Sequence, residues 1–277
     1  MKERILLFCI VFGLGVFIYI FQSYFNTVWG LAILCFLMSL YVGFMNLSYK
    51  LQKRKLQKYP QVINENYKPF VSVLIPAHDE ECVIANTVQN ILDMDYENFE
   101  VIVIDDRSVD NTASVIKDLE QKYDKVTALI RPKDAFPGKS AVLNDAFKIA
   151  KGEAILVFDA DATVDADFLT TLIPHLEPKD VGAVQARKVI RNKNTNLLTR
   201  CQNNEYTLDT YFQVGRDSVK GAVELRGNGE LIKRQAIEDI GGWNNYTIVD
   251  DLDMSTRMHI KGWDIRFCPD AIVYEEG

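Results

Sequence analysis

The stretch Ile155-Leu156-Val157-Phe158-Asp159-Ala160-Asp161 joins a run of apolar residues to a pair of aspartates. Four consecutive apolar residues are typical of a fully buried strand, and two carboxylates one residue apart follow them. Side chains at positions i and i+2 of an extended segment point the same way, so Asp159 and Asp161 can converge on one cation. The alternative is a polar strand end that caps the following helix, because short acidic pairs are common in turns. The stretch alone favours neither interpretation.

The segments on the N-terminal side of this stretch alternate apolar strands with amphipathic helices. We expect strands over residues 71–75, 99–104, 126–130 and 155–158, with helices over about 81–92, 108–122 and 140–151 between them. Strands that alternate with crossover helices form a mainly parallel, twisted sheet with helices on both faces. The predicted fold class is therefore α/β, and a ligand is expected beyond the carboxyl ends of the strands.

Acidic residues follow three of these predicted strands at that edge. The three strand ends read Pro76-Ala77-His78-Asp79-Glu80, Asp105-Asp106-Arg107-Ser108 and Asp159-Ala160-Asp161. Chance capping explains one acidic end easily and three much less well. Clustered carboxylates repel one another unless a divalent cation or the donors of a ligand balance them. The sequence therefore favours a ligand site at this edge.

The N-terminal part of the chain has the composition of membrane helices. Residues 5–49 contain no Asp, Glu, Lys or Arg, and one membrane helix needs about 20 apolar residues. We expect a transmembrane hairpin of two helices, over about 5–22 and 28–49, with its break in the most polar part of the run. A cleaved signal peptide over residues 1–21 is the alternative, but a convincing small-residue cleavage site is lacking and a second apolar stretch follows.

Basic residues at both ends of the apolar run predict the orientation of the hairpin. They are Lys2 and Arg4 before it and Lys50, Lys53, Arg54, Lys55 and Lys58 after it. Positive charge stays on the cytoplasmic side, so both ends are expected in the cytoplasm. The predicted organisation is a multi-pass cell-membrane protein with a hairpin over 1–49, a basic juxtamembrane linker over 50–69 and a cytoplasmic domain over 70–277.

The composition excludes some other classes of protein. The net charge is −7, and no basic stripe follows residue 58, which argues against nucleic acid as a partner. The five cysteines lack the spacing of a metal site or a disulfide framework, and the three histidines are too dispersed to predict a zinc site.

Several separated motifs occur in a fixed order along residues 70–277. They are Pro76-Ala77-His78-Asp79-Glu80, Asp105 to Thr112, Gly138-Lys139-Ser140 with Leu143-Asn144, Asp159-Ala160-Asp161, Glu224 to Gly229, Gly241-Gly242-Trp243 and Val249-Asp250-Asp251. In this order they resemble the motifs of family-2 glycosyltransferases, membrane-embedded inverting enzymes of the cellulose, hyaluronan and poly-N-acetylglucosamine synthase kind. The resemblance implies a GT-A fold, which is a Rossmann-like α/β arrangement.

The resemblance assigns the residues of a nucleotide-sugar donor site. Pro76, Ala77 and Glu80 would line the base and the ribose. Asp106 would accept a hydrogen bond from the uracil ring, and Lys139 would approach the uridine or the diphosphate as a cation.

The resemblance also assigns the chemistry. Asp159 would support the sugar, and Asp161 would bind Mg²⁺ or Mn²⁺ that bridges the diphosphate and neutralises the departing UDP. Asp251 would be the general base that takes the proton from the acceptor hydroxyl. One base suffices for a single displacement with inversion, so no covalent nucleophile is required.

Asn228, Trp243 and Asp250 are expected on the acceptor side. Trp243 has an equally good interpretation as a core aromatic, since many aromatic side chains serve packing alone. The acids of Val249-Asp250-Asp251, together with Asp253, also suit the positive end of a helix without any catalysis. A long helix over 194–217 is expected beneath the acceptor site.

Two nucleotide-binding motifs are excluded by single residues. Gly138-Lys139-Ser140 suggests a phosphate loop, but that pattern requires glycine where Lys133 stands. Gly227-Asn228-Gly229 suggests a dinucleotide fingerprint, but Ile232 occupies its last glycine position.

Two features depart from the family pattern. Val249-Asp250-Asp251 stands where many relatives carry Thr-Glu-Asp, and the final carboxylate is retained. Relatives continue with a Gln-x-x-Arg-Trp motif on an interfacial helix, whereas this sequence ends at Tyr274-Glu275-Glu276-Gly277. We therefore expect a truncated sequence, and we do not expect processive synthesis by these residues alone.

The function implied by the resemblance is inverting transfer of a sugar from UDP-glucose or UDP-N-acetylglucosamine to an acceptor hydroxyl at the cytoplasmic membrane face, in polysaccharide synthesis. The Glu224 to Gly229 motif also resembles the branch that glucosylates diacylglycerol, so glycolipid synthesis is an alternative. A catalytically inactive, membrane-tethered protein that binds nucleotide sugars is an alternative of another class.

Overall fold

The computed structural model describes residues 11–21, 27–58, 64 and 66–277. Two apolar helices come first, α1 (Val11–Phe21) and α2 (Thr27–Lys58). Within the described residues, Trp29–Lys55 is long and apolar enough to cross a membrane and is almost wholly exposed, whereas the described part of α1 is shorter than a span requires.

The predicted hairpin is not confirmed. The first residues of its first helix and the loop at 22–26 lie outside the described residues. The basic residues that were predicted to form a linker continue α2 as far as Lys58.

An α/β domain follows, and its first half alternates strand and helix as the sequence predicts. Its elements are β1 (Val71–Ala77), α3 (Ile84–Leu92), β2 (Phe99–Asp105), α4 (Thr112–Lys122), β3 (Val126–Ile130), α5 (Lys139–Ile149), β4 (Ala154–Val157), β5 (Thr163–Val164), α6 (Phe168–Leu172), a 3-10 helix (Ile173–Leu176), β6 (Val181–Ile190), α7 (Leu197–Ser218), β7 (Glu230–Lys233), α8 (Arg234–Ile240), α9 (Asp250–Lys261) and β8 (Asp264–Glu275).

One mixed sheet runs through the domain, with the strand order β3-β2-β1-β4-β7-β6-β8-β5. The first four strands in this order are parallel, as predicted. The other half is mixed, because β7 is antiparallel to both of its neighbours and β5 is antiparallel to β8. Helices α3, α4 and α6 pack on one face of the sheet, and α5, α8 and α9 pack on the other. Each face of the sheet has its own apolar core.

The register of the parallel half brings three strand ends to one edge. Ala77 of β1 lies beside Asp105 of β2, and β4 pairs with β1 only as far as Leu74 and Val157. Strand β1 therefore runs two residues further than predicted, through Pro76. Proline is tolerated there because it has no amide hydrogen and β4 offers it no partner.

Helix α2 packs on α7 of the α/β domain. The rings of Tyr41 and Phe212 stack at 6.2 Å, and Met45 is buried. A Cβ atom on Gly215 would lie 2.7 Å from the Cβ of Met45. The two helices therefore approach so closely that Gly215 has no room for a side chain.

Candidate active site

The strand ends of β1, β2 and β4 line one cavity of about 350 Å³. Its lining is Pro76, Ala77, His78, Glu80, Asp106, Lys139, Val142, Asp159, Ala160 and Asp161. Every residue that the sequence predicted for the donor and the metal therefore faces the same space.

The loops that follow β1 and β2 are locked together at the rim of this cavity. Asp79 and Arg107 have positive φ angles of 57° and 63°, which non-glycine residues adopt only when their surroundings hold them. The backbone N–H of Val109 donates to Asp79 Oδ1 at 2.7 Å, and His78 Nδ1 lies 2.7 Å from the carbonyl oxygen of Asp106. The backbone around Asp106 is thus fixed from both strands.

Two arginines hold the Asp106 carboxylate. Arg131 Nη1 donates to its Oδ1 at 2.5 Å and Arg107 Nε donates to the same oxygen at 2.9 Å. Burial favours a higher pKa for Asp106, but the hydrogen bonds and charges of the two arginines outweigh it and lower the pKa below its ordinary value. Asp106 is therefore a fixed, ionised acceptor, which suits a ring N–H donor.

Arg131 was not predicted as a site residue. Its side chain is only 3% exposed, and it also pairs with Asp145 and donates to the carbonyl oxygen of Phe136. Arg131 directly follows β3, and the ends of parallel strands meet at one edge of the sheet. This position in the sequence could have indicated that Arg131 lies near the strand ends of β1 and β2.

We expect Arg131→Met to lower the free energy of unfolding by about 3 kcal/mol, because it removes the buried partner of the Asp106 carboxylate and leaves that charge to Arg107 alone. Thermal unfolding of the detergent-solubilised protein measures the loss. Arg107→Met is the matched control, since Arg107 contacts the same carboxylate from a more exposed position, and its loss should be smaller. Equal losses in the two variants would contradict this role of Arg131.

Lys139 connects three parts of the site. Its Nζ donates to Asp159 Oδ1 at 2.5 Å and to the carbonyl oxygen of Gly227 at 2.8 Å. Burial favours a lower pKa for Lys139, but the carboxylates of Asp159, Glu230 and Asp250 outweigh it and raise the pKa. Lys139 is thus a cation at neutral pH that ties the start of α5 to the end of β4.

Asp161 carries the uncompensated charge of the Asp159-Ala160-Asp161 pair. No lysine or arginine of the described chain forms an ion pair with it, whereas Asp159 is held by Lys139. Burial and the nearby charges of Asp159, Glu275 and Glu276 raise the pKa of Asp161. The pKa of Glu80 is raised by burial and by Asp161 first among its acidic neighbours. A cation at this place would relieve the repulsion.

Asp161 fits a divalent metal whose coordination is completed by a ligand. Among the described residues no group of three or more His, Cys, Asp or Glu side chains is arranged to hold a metal ion. Mg²⁺ is commonly bound by one or two carboxylates together with substrate phosphates and water. The donor set here matches that pattern.

The three acids at the start of α9 have different surroundings. Asp253 pairs with Arg257 at 2.6 Å, and Asp250 Oδ2 accepts from Ser140 Oγ at 3.4 Å. Asp251 has no ion pair within the described chain, and its Oδ2 lies 3.7 Å from the position of a Cβ on Gly227. It therefore lies beside the same Gly227 that Lys139 contacts.

A family model described as Glycosyltransferase like family 2 matches residues 69–277. The chain belongs to the family-2 glycosyltransferases.

Two curated relatives and one solved structure show which members it resembles. The β-monoglucosyldiacylglycerol synthase of Nostoc sp. is 44% identical over 211 residues, which cover 76% of this chain and 45% of the relative. A poly-β-1,6-N-acetyl-D-glucosamine synthase of Staphylococcus aureus is 31% identical over 222 residues, which cover 79% of this chain and 52% of the relative. The chain thus spans about half the length of these relatives.

The mannosyltransferase PcManGT of Pyrobaculum calidifontis, solved in complex with GDP-Man and Mn²⁺, has a TM-score of 0.67 to this chain at 26% identity. The match covers 88% of this chain and 68% of that one. The α/β domain of this family-2 glycosyltransferase therefore has the GT-A fold that the sequence resemblance implied.

Two residues predicted on the acceptor side are buried in this glycosyltransferase. Asn228 is fully buried; its Oδ1 accepts from the backbone N–H of Asp159 at 3.2 Å and its Nδ2 donates to Glu275 at 2.8 Å. Trp243 is 4% exposed and packs edge-to-face on Phe147. The structure thus gives Asn228 a supporting position and supports the core interpretation of Trp243.

Glu230 was missed by the sequence reasoning. It is buried at the start of β7, and its Oε2 accepts from the backbone N–H of Gly227 at 3.2 Å. Burial raises its pKa to about 7; Lys139 opposes the rise, and Asp251 and Asp250 add to it. Its burial depends on strands distant in sequence, so no local pattern reveals it.

The raised pKa of Glu230 predicts a pH-dependent stability. The folded state keeps a proton that the unfolded state releases between about pH 4.5 and 7, so the contribution of this carboxyl is fully present at low pH and is lost as the pH rises. Relative to Glu230→Gln, the wild type should lose about 3 kcal/mol of unfolding free energy over this range.

Unfolding of both proteins by urea at several pH values measures this difference. Glu238→Gln is the control, because the Glu238 side chain is 57% exposed and its removal should leave the pH profile unchanged. Parallel profiles for wild type and Glu230→Gln would contradict the assignment.

Proposed function

We propose that this chain carries the donor site and the base of an inverting glycosyltransferase that moves a hexose from a UDP-sugar to the hydroxyl of a lipid acceptor. The observation that supports it most is the convergence of Asp106, Lys139, Asp159 and Asp161 on one cavity. Asp251 lies beside Gly227, whose carbonyl oxygen accepts a hydrogen bond from Lys139 of that cavity, and it has no ion pair within the described chain.

Each side chain has one task in the proposed reaction. Asp106, fixed and ionised by Arg131 and Arg107, accepts a hydrogen bond from the uracil ring. Lys139 holds Asp159 and the Gly227 loop in place. A divalent cation such as Mg²⁺ or Mn²⁺, bound by Asp161, would act as a Lewis acid towards the leaving diphosphate.

Asp251 removes the proton from the acceptor hydroxyl while the acceptor oxygen forms its bond to the anomeric carbon. The bond from that carbon to the diphosphate oxygen breaks in the same step, and UDP leaves with the electron pair. A single displacement inverts the anomeric centre.

The lipid acceptor is favoured by similarity. The relative named β-monoglucosyldiacylglycerol synthase is 44% identical to this chain, against 31% for the relative named poly-β-1,6-N-acetyl-D-glucosamine synthase. We therefore put glycolipid synthesis with diacylglycerol ahead of polysaccharide synthesis. Helix α2 would cross the membrane, and the basic residues that follow Tyr49 would keep the α/β domain on the cytoplasmic side.

The test is to incubate membranes that contain this chain with radiolabelled UDP-glucose or UDP-N-acetylglucosamine and Mn²⁺. We expect label in the organic phase of a lipid extraction. Label only in insoluble polymer would replace the lipid acceptor with a polysaccharide. UDP-sugar binding without turnover would favour the inactive, membrane-tethered binding protein.

A further inference from the structure

The residues Asp159-Ala160-Asp161, which we call the aspartate turn, lie beyond the last residue that β4 pairs with its neighbouring strands. Two side chains from distant segments hold its backbone instead. The backbone N–H of Asp159 donates to Asn228 Oδ1 at 3.2 Å, and Thr87 Oγ1 donates to the carbonyl oxygen of Ala160 at 2.7 Å. The position of the turn therefore depends on how these two side chains are themselves fixed.

The side chain of Asn228 is fixed by a carboxylate. Asn228 is fully buried, and its Nδ2 donates to Glu275 Oε1 at 2.8 Å. An ionised carboxylate only accepts hydrogen bonds, whereas an asparagine amide presents one acceptor side and one donor side. Glu275 therefore requires the amide nitrogen on its own side, which leaves Oδ1 for the backbone N–H of Asp159.

Glu275 is the last residue of β8, and three groups hold its buried side chain in place. Besides Asn228, Lys188 Nζ lies 2.8 Å from Oε1, and the hydroxyl of Tyr206 donates to Oε2 at 2.8 Å. Burial favours a lower pKa for Lys188, but the carboxylate of Glu275 outweighs it and raises the pKa. A carboxylate with three donors, one of them a cation, is a rigid anchor for Asn228.

The main chain around Asn228 leaves the amide no other place. The buried Gln185 donates from Nε2 to the carbonyl oxygen of Asn228 at 2.9 Å. A Cβ atom on the next residue, Gly229, would lie 3.0 Å from Cγ1 of Val273 in β8. Asn228 is therefore pressed against the strand that carries Glu275, and a change at Glu275 must pass directly to the amide.

We propose that Glu275 is a positioning residue of the donor site. Through Asn228 it holds the aspartate turn where Asp161 can bind a divalent cation. This inference rests on the proposed function, which assigns the metal to Asp161.

An exchange of the acid and the amide tests this connection. Asn228→Asp sets two buried carboxylates against each other, so the hydrogen bond between the two side chains is lost. Adding Glu275→Gln to Asn228→Asp restores it with the same net charge, because the introduced amide donates to the introduced carboxylate. That carboxylate keeps its second oxygen for the backbone N–H of Asp159. Recovery in the double variant therefore reports this contact.

The measurement is the affinity of the detergent-solubilised protein for UDP, with and without Mn²⁺. We expect Asn228→Asp to weaken binding in the presence of Mn²⁺ by about tenfold, with little change in its absence, and the double variant to recover most of the loss. Glu276→Gln is the control. Burial first, and then the charges of Asp159, Glu275 and Glu276, raise the pKa of Asp161, but Glu276 is exposed, and its removal should keep the Mn²⁺ effect.

Thermal unfolding shows which variants are folded. If Asn228→Asp does not fold, Glu275→Leu replaces it and is compared with Glu275→Gln, which keeps an oxygen for Asn228. We then expect the loss of affinity only in Glu275→Leu. A folded Asn228→Asp or Glu275→Leu protein with the wild-type Mn²⁺ effect, or a double variant without recovery, would overturn the inference and leave the proposed function standing. Wild-type UDP affinity that does not respond to Mn²⁺ would overturn the metal role of Asp161, and this inference with it.

Discussion

Asp251→Asn should lower kcat by about a thousand-fold and leave the affinity for UDP unchanged. General base catalysis contributes about 10²- to 10⁴-fold to rate, and an amide cannot take a proton from the acceptor hydroxyl. The side chain lies beside Gly227 and not in the donor cavity, so donor binding should not need it. Transfer of label from UDP-sugar and isothermal titration with UDP measure the two quantities.

Asp253→Asn is the matched control for this prediction. It removes the same charge from the first turn of the same helix, but the Asp253 carboxylate already forms an ion pair with Arg257. We expect near wild-type kcat and a small loss of stability. If Asp251→Asn retained the wild-type rate, the base would have to be assigned elsewhere.

Asp161→Asn should remove the dependence of UDP binding on Mn²⁺. In the wild type, Mn²⁺ should tighten UDP binding, because a divalent cation held by Asp161 would offset the negative charge of this carboxylate and of the diphosphate. In the variant, UDP affinity should be the same with and without Mn²⁺. Titration of UDP in both conditions measures this.

Asp167→Asn serves as the control on the same segment, because Asp167 is exposed before α6 and lies outside the donor cavity. It should keep the full Mn²⁺ effect. A Mn²⁺ effect of wild-type size in Asp161→Asn would place the metal ligand elsewhere in the protein.

The donor half of the site was predictable because it depends on local patterns. Apolar runs with acidic ends identify β1, β2 and β4, and the parallel arrangement brings their ends together without further information. Even there, the length of β1 was underestimated, since the absence of a β4 partner at Pro76 is a property of the assembled sheet.

The supporting groups were not predictable in the same way. Arginine and glutamate are usually exposed, so the sequence gives no reason to expect Arg131 and Glu230 in the interior. They are buried because strands distant in sequence enclose them. The sequence left Trp243 between the core and the acceptor, and its packing on Phe147 became visible only in three dimensions. The mixed half of the sheet was not predicted. Antiparallel pairing of β7 with β4 and β6 leaves no strand–helix–strand pattern in the sequence that would indicate it.

The location of bound nucleotide tests the central claim most directly. A structure of the protein with UDP and Mn²⁺ should show uracil against Asp106, the diphosphate beside Lys139 and Mn²⁺ on Asp161, all in the cavity of about 350 Å³. A larger cavity of about 590 Å³ lies near Phe147, Trp243 and Tyr246 and contains none of these groups. Nucleotide bound there, with the strand-end cavity empty, would contradict the account.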